Sequence, residues 1–220
     1  MDPVIRAEQS YLQARIRYEQ ERTDVQNAWQ FAQACFELAD VVASNSRRAK
    51  IANEGIEVCR TALERDSKLA PAEYYLALNL GQLARTKSIG ALRLVSQMES
   101  ALKQTIKLDP QVDFAGPHRS LGLLYRDAPG FPTSIGSRSK ARLHLQKAVE
   151  LRPDFPENWL CLLESYLQWG DKRALESQIK KVDELLASAR EKYTGETWVL
   201  SWQDWERRWT ALLKQVSPAA

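Results

Sequence analysis

Two arginines, Arg119 and Arg126, have the spacing in this chain that most clearly suggests binding chemistry. They lie seven residues apart in a segment predicted to be helical, so both side chains should project from one face of that helix. A planar guanidinium binds a carboxylate through two parallel hydrogen bonds. The pair therefore predicts a site for a carboxylate-bearing ligand, and replacing both arginines with alanine should weaken capture with little change in melting temperature. The alternative is that they pair with Glu164 and Glu37 on neighbouring helices.

Catalytic and metal-binding chemistry is not indicated. The glycine-containing segment 130–136 lacks the Lys-Ser/Thr of a phosphate-binding loop, and the sequence contains no HExxH or GxSxG motif. Of the two histidines, His118 is expected to be packed between helices rather than catalytic. We therefore predict a protein that is not an enzyme, with no catalytic residue, no metal site and no cofactor. The cysteines have no CxxC spacing and are expected to be small buried hydrophobic residues; they are Cys35, Cys59 and Cys161.

Composition limits the class of protein further. The 31 basic and 28 acidic residues nearly balance, and no long basic block indicates nucleic-acid binding. No apolar run approaches the roughly 18 residues that span a bilayer. The start at Met1 lacks a basic segment followed by an apolar one; the localisation is therefore left open, cytoplasmic as the sequence stands and periplasmic if a signal peptide has been removed. Abundant Ala, Leu, Glu, Lys, Arg and Gln with little Gly or Pro predict an all-α fold.

Apolar residues recur at helical spacing through most of the chain. Thr23 with Gln26 predicts a capping box that opens the second helix, and Glu176 with Lys180 predicts an ion pair one turn apart in a late helix. The remaining breaks are clusters of Gly, Pro, Ser and Asn. The first predicted helix after the N-terminal one covers about 23–43. The later ones cover about 47–65, 71–85, 90–108, 117–126 and 137–151; one more begins at 156, and another covers 172–192.

A face of four indoles marks the C-terminal segment. Trp198, Trp202, Trp205 and Trp209 follow one another at spacings of four, three and four residues, which places them on one side of a helix. The face is interpreted as a capping helix packed on the preceding helices. The alternative is an exposed aromatic patch that binds a partner or a second copy of the chain and forms a homo-oligomer.

Small and aromatic residues between 117 and 159 carry a family resemblance. Their types and order are those of a tetratricopeptide repeat (TPR), which this chain resembles over about residues 23–192; they are Leu121, Gly122, Tyr125, Ala141, Leu145, Ala148, Pro153 and Trp159. The resemblance implies one domain, residues 1–220, that is a right-handed α-solenoid of about ten helices with a Trp-rich capping helix. Its parts are an N-terminal helix (1–22), four repeats (23–67, 68–110, 111–153 and 154–193) and the capping helix (194–217).

The third repeat contains an inserted loop, 127–137, that carries a second resemblance. Its residues Ala128 to Pro132 and Ser134 to Gly136 are similar to the loop of a bacterial TPR family related to the T-component of tripartite periplasmic transporters. More remotely, the long degenerate helix pairs are similar to the regulator of microtubule dynamics proteins. The first of these implies a bacterial helical binding protein of the cell envelope.

In a TPR stack the first helix of each pair lines the concave face. The resemblance therefore implies a non-enzymatic scaffold whose concave face binds a protein or peptide. The alternative is an accessory protein of a bacterial envelope transporter that binds a small apolar ligand, with Phe131 and Ile135 folded over the groove as its roof; in the structural alternative Phe131 only staples the third pair to its neighbour. The predicted concave binding set, in which Tyr74 belongs to one of two registers of the second repeat, is Arg119, Arg126, Tyr74, Leu123, Glu164 and Glu37.

Overall fold

The computed structural model describes residues 2–87 and 90–216, which fold into eleven α-helices. The predicted all-α fold is confirmed. Contacts divide the chain into two compact units: unit 1 comprises residues 1–112 and 128–135, and unit 2 comprises residues 113–127 and 136–220. The assignment of residues 1–220 to a single domain remains a prediction.

Unit 1 contains an N-terminal helix and two helix pairs. Sequential helices pack on one another, and α2 also packs against α4, so the first helices of the two pairs are neighbours. This arrangement buries an apolar face that a single pair would leave in water. The helices are α1 (Pro3–Gln20), α2 (Val25–Val41), α3 (Asn45–Arg65), α4 (Ala70–Ala84) and α5 (Ala91–Leu108).

Helix α2 begins one residue later than the predicted capping box implies. Asp24, not Thr23, is the N-cap, and its Oδ1 accepts hydrogen bonds from the backbone N–H of Gln26 at 2.6 Å and Asn27 at 3.3 Å. A carboxylate at this position satisfies the free amides of the first turn and also interacts favourably with the positive end of the helix. The predicted capping box is therefore wrong, although a helix does start here.

The core of unit 1 combines large apolar side chains with small residues that let the helices approach closely. Phe31, Cys35 and Leu38 of α2 are at most 2% exposed. A Cβ atom added to Gly55 of α3 would lie 2.7 Å from the side chain of Asn79 on α4. Asn79 is held in place because its Nδ2 donates to the carbonyl oxygens of Ala32 and Tyr75, both at 2.9 Å. Position 55 therefore has no room for a side chain.

Unit 2 contains the third and fourth pairs and the tryptophan helix. A Cβ atom on Gly122 of α6 would lie 2.7 Å from Leu145 Cγ and 3.1 Å from its backbone nitrogen, so this glycine permits close contact between α6 and α7. The helices are α6 (Val112–Asp127), α7 (Arg138–Leu151), α8 (Pro156–Gln168), α9 (Lys172–Glu176), α10 (Ile179–Lys192) and α11 (Val199–Val216), with a 3₁₀ turn at Glu196–Trp198.

The helix predicted over 172–192 is interrupted. It is divided into α9 and α10 at Ser177, whose hydroxyl donates to the carbonyl oxygen of Ala174 at 2.8 Å and competes with the backbone ladder. The break separates Glu176 from Lys180, and Lys180 instead lies 3.9 Å from Glu184. The predicted pair between Glu176 and Lys180 is therefore wrong, because both residues would have to lie on one unbroken helix.

Candidate functional site

Arg119 is buried and fully engaged within unit 2. Its residue is 8% exposed, and its guanidinium donates to Asp113 Oδ2 at 2.7 Å, to Asn158 Oδ1 at 2.9 Å and to the carbonyl oxygen of Phe114 at 3.3 Å. These three partners hold the guanidinium inside unit 2, and Glu164 is not among them. The prediction that Arg119 presents its guanidinium to a binding groove is corrected by this burial.

The segment that Arg119 holds has an unusual backbone. Asp113, Phe114 and Ala115 have φ values of 49°, 55° and 63°, so three consecutive residues with side chains occupy the left-handed region. Each such residue costs about 1–2 kcal/mol relative to an ordinary conformation. Asn158, which is fully buried, donates from Nδ2 to the carbonyl oxygen of Phe114 at 3.0 Å. Arg119 and Asn158 together satisfy this turn, and regular helix follows it.

Arg126 has separate partners. Its Nε and Nη2 donate to the two carboxylate oxygens of Asp127 at 2.7 and 2.9 Å, and its Nη1 donates to Ser165 Oγ at 3.1 Å. Glu164 is also engaged, because Arg208 donates to its two oxygens at 2.7 and 2.8 Å. The two arginines on α6 therefore do not form the shared carboxylate site that their spacing predicted, and Glu164 pairs with Arg208 instead of with either of them. The alternative pair with Glu37 remains a prediction.

Two apolar members of the predicted concave set are wholly or partly buried. Tyr74 is 1% exposed and makes an edge contact with Tyr75 at a ring-centroid distance of 5.2 Å. Leu123 is half-buried and packs against the core of unit 2. The prediction that Tyr74 lines a binding surface is therefore corrected, because its ring is covered by other side chains.

The inserted loop leaves Phe131 in solvent. The Phe131 side chain is 92% exposed, whereas Ile135 is half-buried. The loop closes locally through Thr133, whose N–H donates to the carbonyl oxygen of Gly130 at 3.0 Å. A ring in this position does not cover an apolar pocket. The prediction that Phe131 forms a roof over a small ligand is therefore corrected.

The tryptophan face is packed inside unit 2. Trp202, Trp205 and Trp209 are at most 9% exposed. The indole N–H of Trp205 donates to Glu157 Oε2 at 2.8 Å, and that of Trp202 donates to the carbonyl oxygen of Tyr193 at 2.7 Å. The interpretation of this face as packed is confirmed, and the aromatic patch expected to join a second copy is not exposed on these three side chains.

Arg208 joins α11 to α8 through a group of acidic side chains. Its Nη1 donates to both oxygens of Glu157 at 2.8 Å and to Asp204 Oδ2 at 3.1 Å, in addition to the two bonds to Glu164. Burial alone would raise the pKa of Glu157, but Arg208 and Arg119 hold it below its ordinary value. The group is a structural connection, and sequence analysis missed it because the partners are 44 and 51 residues away from Arg208.

The two histidines face each other between α6 and α7. His118 Nδ1 and His144 Nδ1 are 3.0 Å apart, a contact in which one ring donates and the other accepts. Burial, followed by the nearby His144 and Lys147, lowers the pKa of His118 to about 4. His118 is 8% exposed, so the expectation that it is packed is confirmed.

This pair predicts a loss of stability in mild acid. Because the folded-state pKa of His118 is below its unfolded value, the folded state binds fewer protons, and stability falls as the pH drops from about 6.5 toward 4. We expect the free energy of unfolding to fall by about 2 kcal/mol from this group between roughly pH 7 and 5. Urea unfolding at the two pH values measures the change. His118→Phe keeps a ring but cannot titrate, and an equally steep pH dependence in that variant would contradict the assignment.

The described residues offer no metal or thiol chemistry. All three cysteines are buried and free, as expected, and burial raises the pKa of each thiol. In residues 2–87 and 90–216 no group of three or more His, Cys, Asp or Glu side chains is placed to hold a metal ion. The same described stretches contain no helix with the length and apolar character needed to cross a membrane.

Two depressions on the surface of unit 1 are lined by polar and charged side chains. One is a depression of about 270 Å³ between α1 and α2, called the amide groove here. Glu37, which was predicted to face a groove, lines it together with Gln30. Gln33 Nε2 donates to Glu37 Oε1 at 2.9 Å along its floor. The complete lining is Ser10, Gln13, Ala14, Arg17, Trp29, Gln30, Gln33, Ala34 and Glu37.

Comparison with solved structures shows the fold. A thermophilic TPR protein from Thermus thermophilus is similar, with a TM-score of 0.68 and 20% identity over 94% of this chain and 91% of that chain. The structure of MamA is similar with a TM-score of 0.52 and 16% identity, over 87% of this chain and 96% of that chain. The predicted TPR-like solenoid class is therefore confirmed. None of the curated proteins matches the sequence.

Comparison with protein families matches the N-terminal half. The model described as regulator of microtubule dynamics protein 1-3 matches residues 5–116, slightly more than half of the 220 residues. The matched stretch covers α1 to α5, which form unit 1 and carry the amide groove. The remote similarity expected from the long helix pairs is thus confirmed by an independent match. The chain belongs to the regulator of microtubule dynamics protein 1-3 family.

Proposed function

We propose that this protein is a binding scaffold that captures an extended peptide segment of a partner protein in the amide groove. The helical-repeat fold is typical of protein-interaction scaffolds, and its structural relatives support that coarse class. The more specific proposal, that the amide groove binds a peptide, rests on the residues that line the groove. Three glutamine side chains, Gln13, Gln30 and Gln33, line a depression of about 270 Å³.

Glutamine amides suit an extended peptide because each carries donors and an acceptor. A peptide backbone presents one N–H and one C=O per residue, and side-chain amides can bond to both without selecting a particular sequence. Arg17 and Glu37 lie in the same lining with opposite charges and would orient charged groups of the partner. Trp29 offers a partly exposed ring that stacks on Tyr75 at 6.0 Å and is therefore held rigidly.

A peptide selection tests the proposal. A displayed library of random peptides about 12 residues long, which is enough to cross two helices, is selected on the native protein, and the recovered peptides are measured by fluorescence anisotropy. We expect the double variant Gln30→Ala and Gln33→Ala to bind them about ten-fold more weakly, because two hydrogen bonds of about 0.7 kcal/mol each are lost. Alanine is a strong helix former, so α2 should remain folded.

The matched control replaces exposed glutamines outside the groove. Gln9 and Gln20 lie on α1 but do not line the depression. Gln9→Ala with Gln20→Ala should bind the selected peptides as the native protein does. Equal binding by the two double variants, or a selection that recovers no binding peptide, would overturn the proposal.

A further inference from the structure

A second depression of unit 1 lies among α3, α4 and α5 and has a different chemistry. Its volume is about 430 Å³, within the range of about 300–1,000 Å³ typical of ligand sites. It shares no lining residue with the amide groove. The lining is Arg60, Glu73, Leu76, Leu80, Gln97, Ser100, Ala101, Lys103, Gln104 and Lys107, and we call it the basic depression.

Three cations from two helices surround this depression. Arg60 comes from α3, and Lys103 and Lys107 lie one turn apart on α5, so both lysines project from the same side. Lys103 contacts Glu99 at 2.6 Å. Within the described stretches the structure pairs neither Arg60 nor Lys107 with a carboxylate. The lining thus holds three positive groups against one acidic group, Glu73.

The bottom of the basic depression is apolar. Leu80 is 2% exposed, Ala101 is 6% exposed and Leu76 is half-buried. A free inorganic anion would gain nothing from these side chains, whereas a chain that carries both apolar and acidic residues would bury one kind and pair the other. The neutral polar residues Gln97, Ser100 and Gln104 can satisfy hydrogen-bonding groups between the two.

We propose that the basic depression is a second docking site, which binds an acidic amphipathic segment of a partner protein. An apolar side chain of that segment lies on Leu76 and Leu80, and carboxylates pair with Arg60, Lys103 and Lys107. A helix places an apolar and an acidic side chain one turn apart on the same face, which are the two kinds of group that this lining would bind. The site works independently of the amide groove, so the scaffold would hold two segments or two partners at once.

Replacing Glu73 tests the proposal in a direction that loss of folding cannot produce, because binding should become tighter. It is the one carboxyl group in the lining, and burial raises its pKa, so its charge is already disfavoured in this position. Its negative charge repels an acidic ligand. Glu73→Gln should therefore tighten binding of an acidic peptide by about three- to ten-fold, in line with one like-charge contact near a protein surface. A variant that merely loosened the helices would bind more weakly.

The probe is a fluorescein-labelled peptide of about 15 residues with Leu at helical spacing and Glu on both sides, long enough for about four helical turns. A control peptide has Gln in place of every Glu. Anisotropy is measured on the native protein at roughly 0.05 and 0.5 M salt, since exposed charge pairs are screened. We expect the acidic peptide to bind, the control peptide to bind at least about ten-fold more weakly, and binding to fall with salt.

Charge reversal then locates the site. Arg60→Glu with Lys107→Glu should weaken acidic-peptide binding by about 20-fold or more, because two attractions become repulsions. The matched control, Lys50→Glu with Lys68→Glu, changes the net charge of unit 1 equally at exposed positions outside the lining. It should retain binding within about two-fold, which is the effect expected of distant exposed charges. Circular dichroism verifies that both variants are helical.

Three results would overturn the inference. Equal weakening by the two charge reversals would show attraction to net charge alone. No binding of the acidic peptide to the native protein would remove the site. Charge-dependent capture of phosphatidylserine-containing vesicles without peptide binding would assign the depression to a lipid surface. A negative result for the basic depression does not affect the test of the amide groove, which uses the glutamine variants and the selected peptides. The two proposals are therefore tested separately.

Discussion

Replacing Arg119 with alanine is expected to lower the free energy of unfolding of unit 2 by about 4 kcal/mol. The guanidinium is the shared partner of Asp113, the carbonyl oxygen of Phe114 and Asn158 Oδ1, the last at 2.9 Å. Its removal leaves the fully buried Asn158 oxygen without that donor and the Asp113 carboxylate without its cation. A buried acceptor that loses its donor costs the full desolvation of the group.

The backbone adds to this cost. Three left-handed residues, Asp113 to Ala115, persist because the surrounding contacts favour them over more relaxed conformations. Phe114, at the centre of the turn, stacks on Phe155 at a ring-centroid distance of 4.3 Å. If the turn relaxes, this aromatic contact in the core of unit 2 is lost as well. The initial prediction that alanine at position 119 would leave the melting temperature almost unchanged is therefore corrected by the structure.

Arg126→Ala provides the comparison on the same helix. Arg126 pairs with Asp127, which is half-exposed at its side chain, and with Ser165, so its loss should cost about 1 kcal/mol. Urea unfolding followed by tryptophan fluorescence measures the free energy of unfolding of both alanine variants, since six of the seven tryptophans lie in unit 2. Arg119→Lys keeps the charge but not the planar fork and should fall between the native protein and Arg119→Ala. Equal stability of the two alanine variants would contradict the role assigned to Arg119.

Arg208→Ala is expected to destabilise the same unit by about 3 kcal/mol. The arginine side chain is 15% exposed and neutralises Glu157 and Glu164 of α8, so its removal leaves two carboxylates close together without a cation. Because the pKa of Glu157 is held down in the folded state, its contribution is present at neutral pH and is lost as the pH falls through the folded pKa. The difference between native and variant should therefore shrink in acid.

Arg207→Ala is the matched control for Arg208. It is the adjacent residue of the same type on α11, but its side chain is 72% exposed and, within residues 2–87 and 90–216, its ion pair is with Asp204 alone. We expect an effect below about 0.5 kcal/mol, as for other exposed pairs. The same urea experiment applies, and a loss in Arg207→Ala as large as in Arg208→Ala would show that bulk charge on α11, rather than the contact with α8, stabilises the helix.

Helix positions were predictable because the signal is local. The spacing of Trp202, Trp205 and Trp209 predicts one helical face whatever that face contacts, and the structure buries these three side chains, whereas Trp198 lies in the 3₁₀ turn before the helix. The same holds for the cysteines, which are buried as their apolar surroundings indicated. Local signals failed where a single side chain competes with the backbone, as Ser177 does at the break between α9 and α10. They also placed the cap of α2 one residue early.

The candidate site was predictable only in part. Glu37 does line a groove, because its position on α2 follows from the helical period. Arg119 lies on the same face as Arg126, yet its guanidinium is bound by Asn158, which is 39 residues away in the sequence. The basic depression needs Arg60 and Lys103 together, and nothing in the spacing of two residues on different helices indicates that they meet.

The all-α class, the helix pairs, the packed tryptophan face and the TPR resemblance could be predicted from the residue pattern, since each depends on residue types at periods of three to four along one helix. Which charged groups are engaged inside a unit, and which remain on its surface, depends instead on how the helices pack. A side chain of given type and helical face can pair with whichever neighbour the packing brings within about 3 Å. That choice made Arg119 a partner of a strained turn and placed Arg60 and Lys107 at the edge of an open depression.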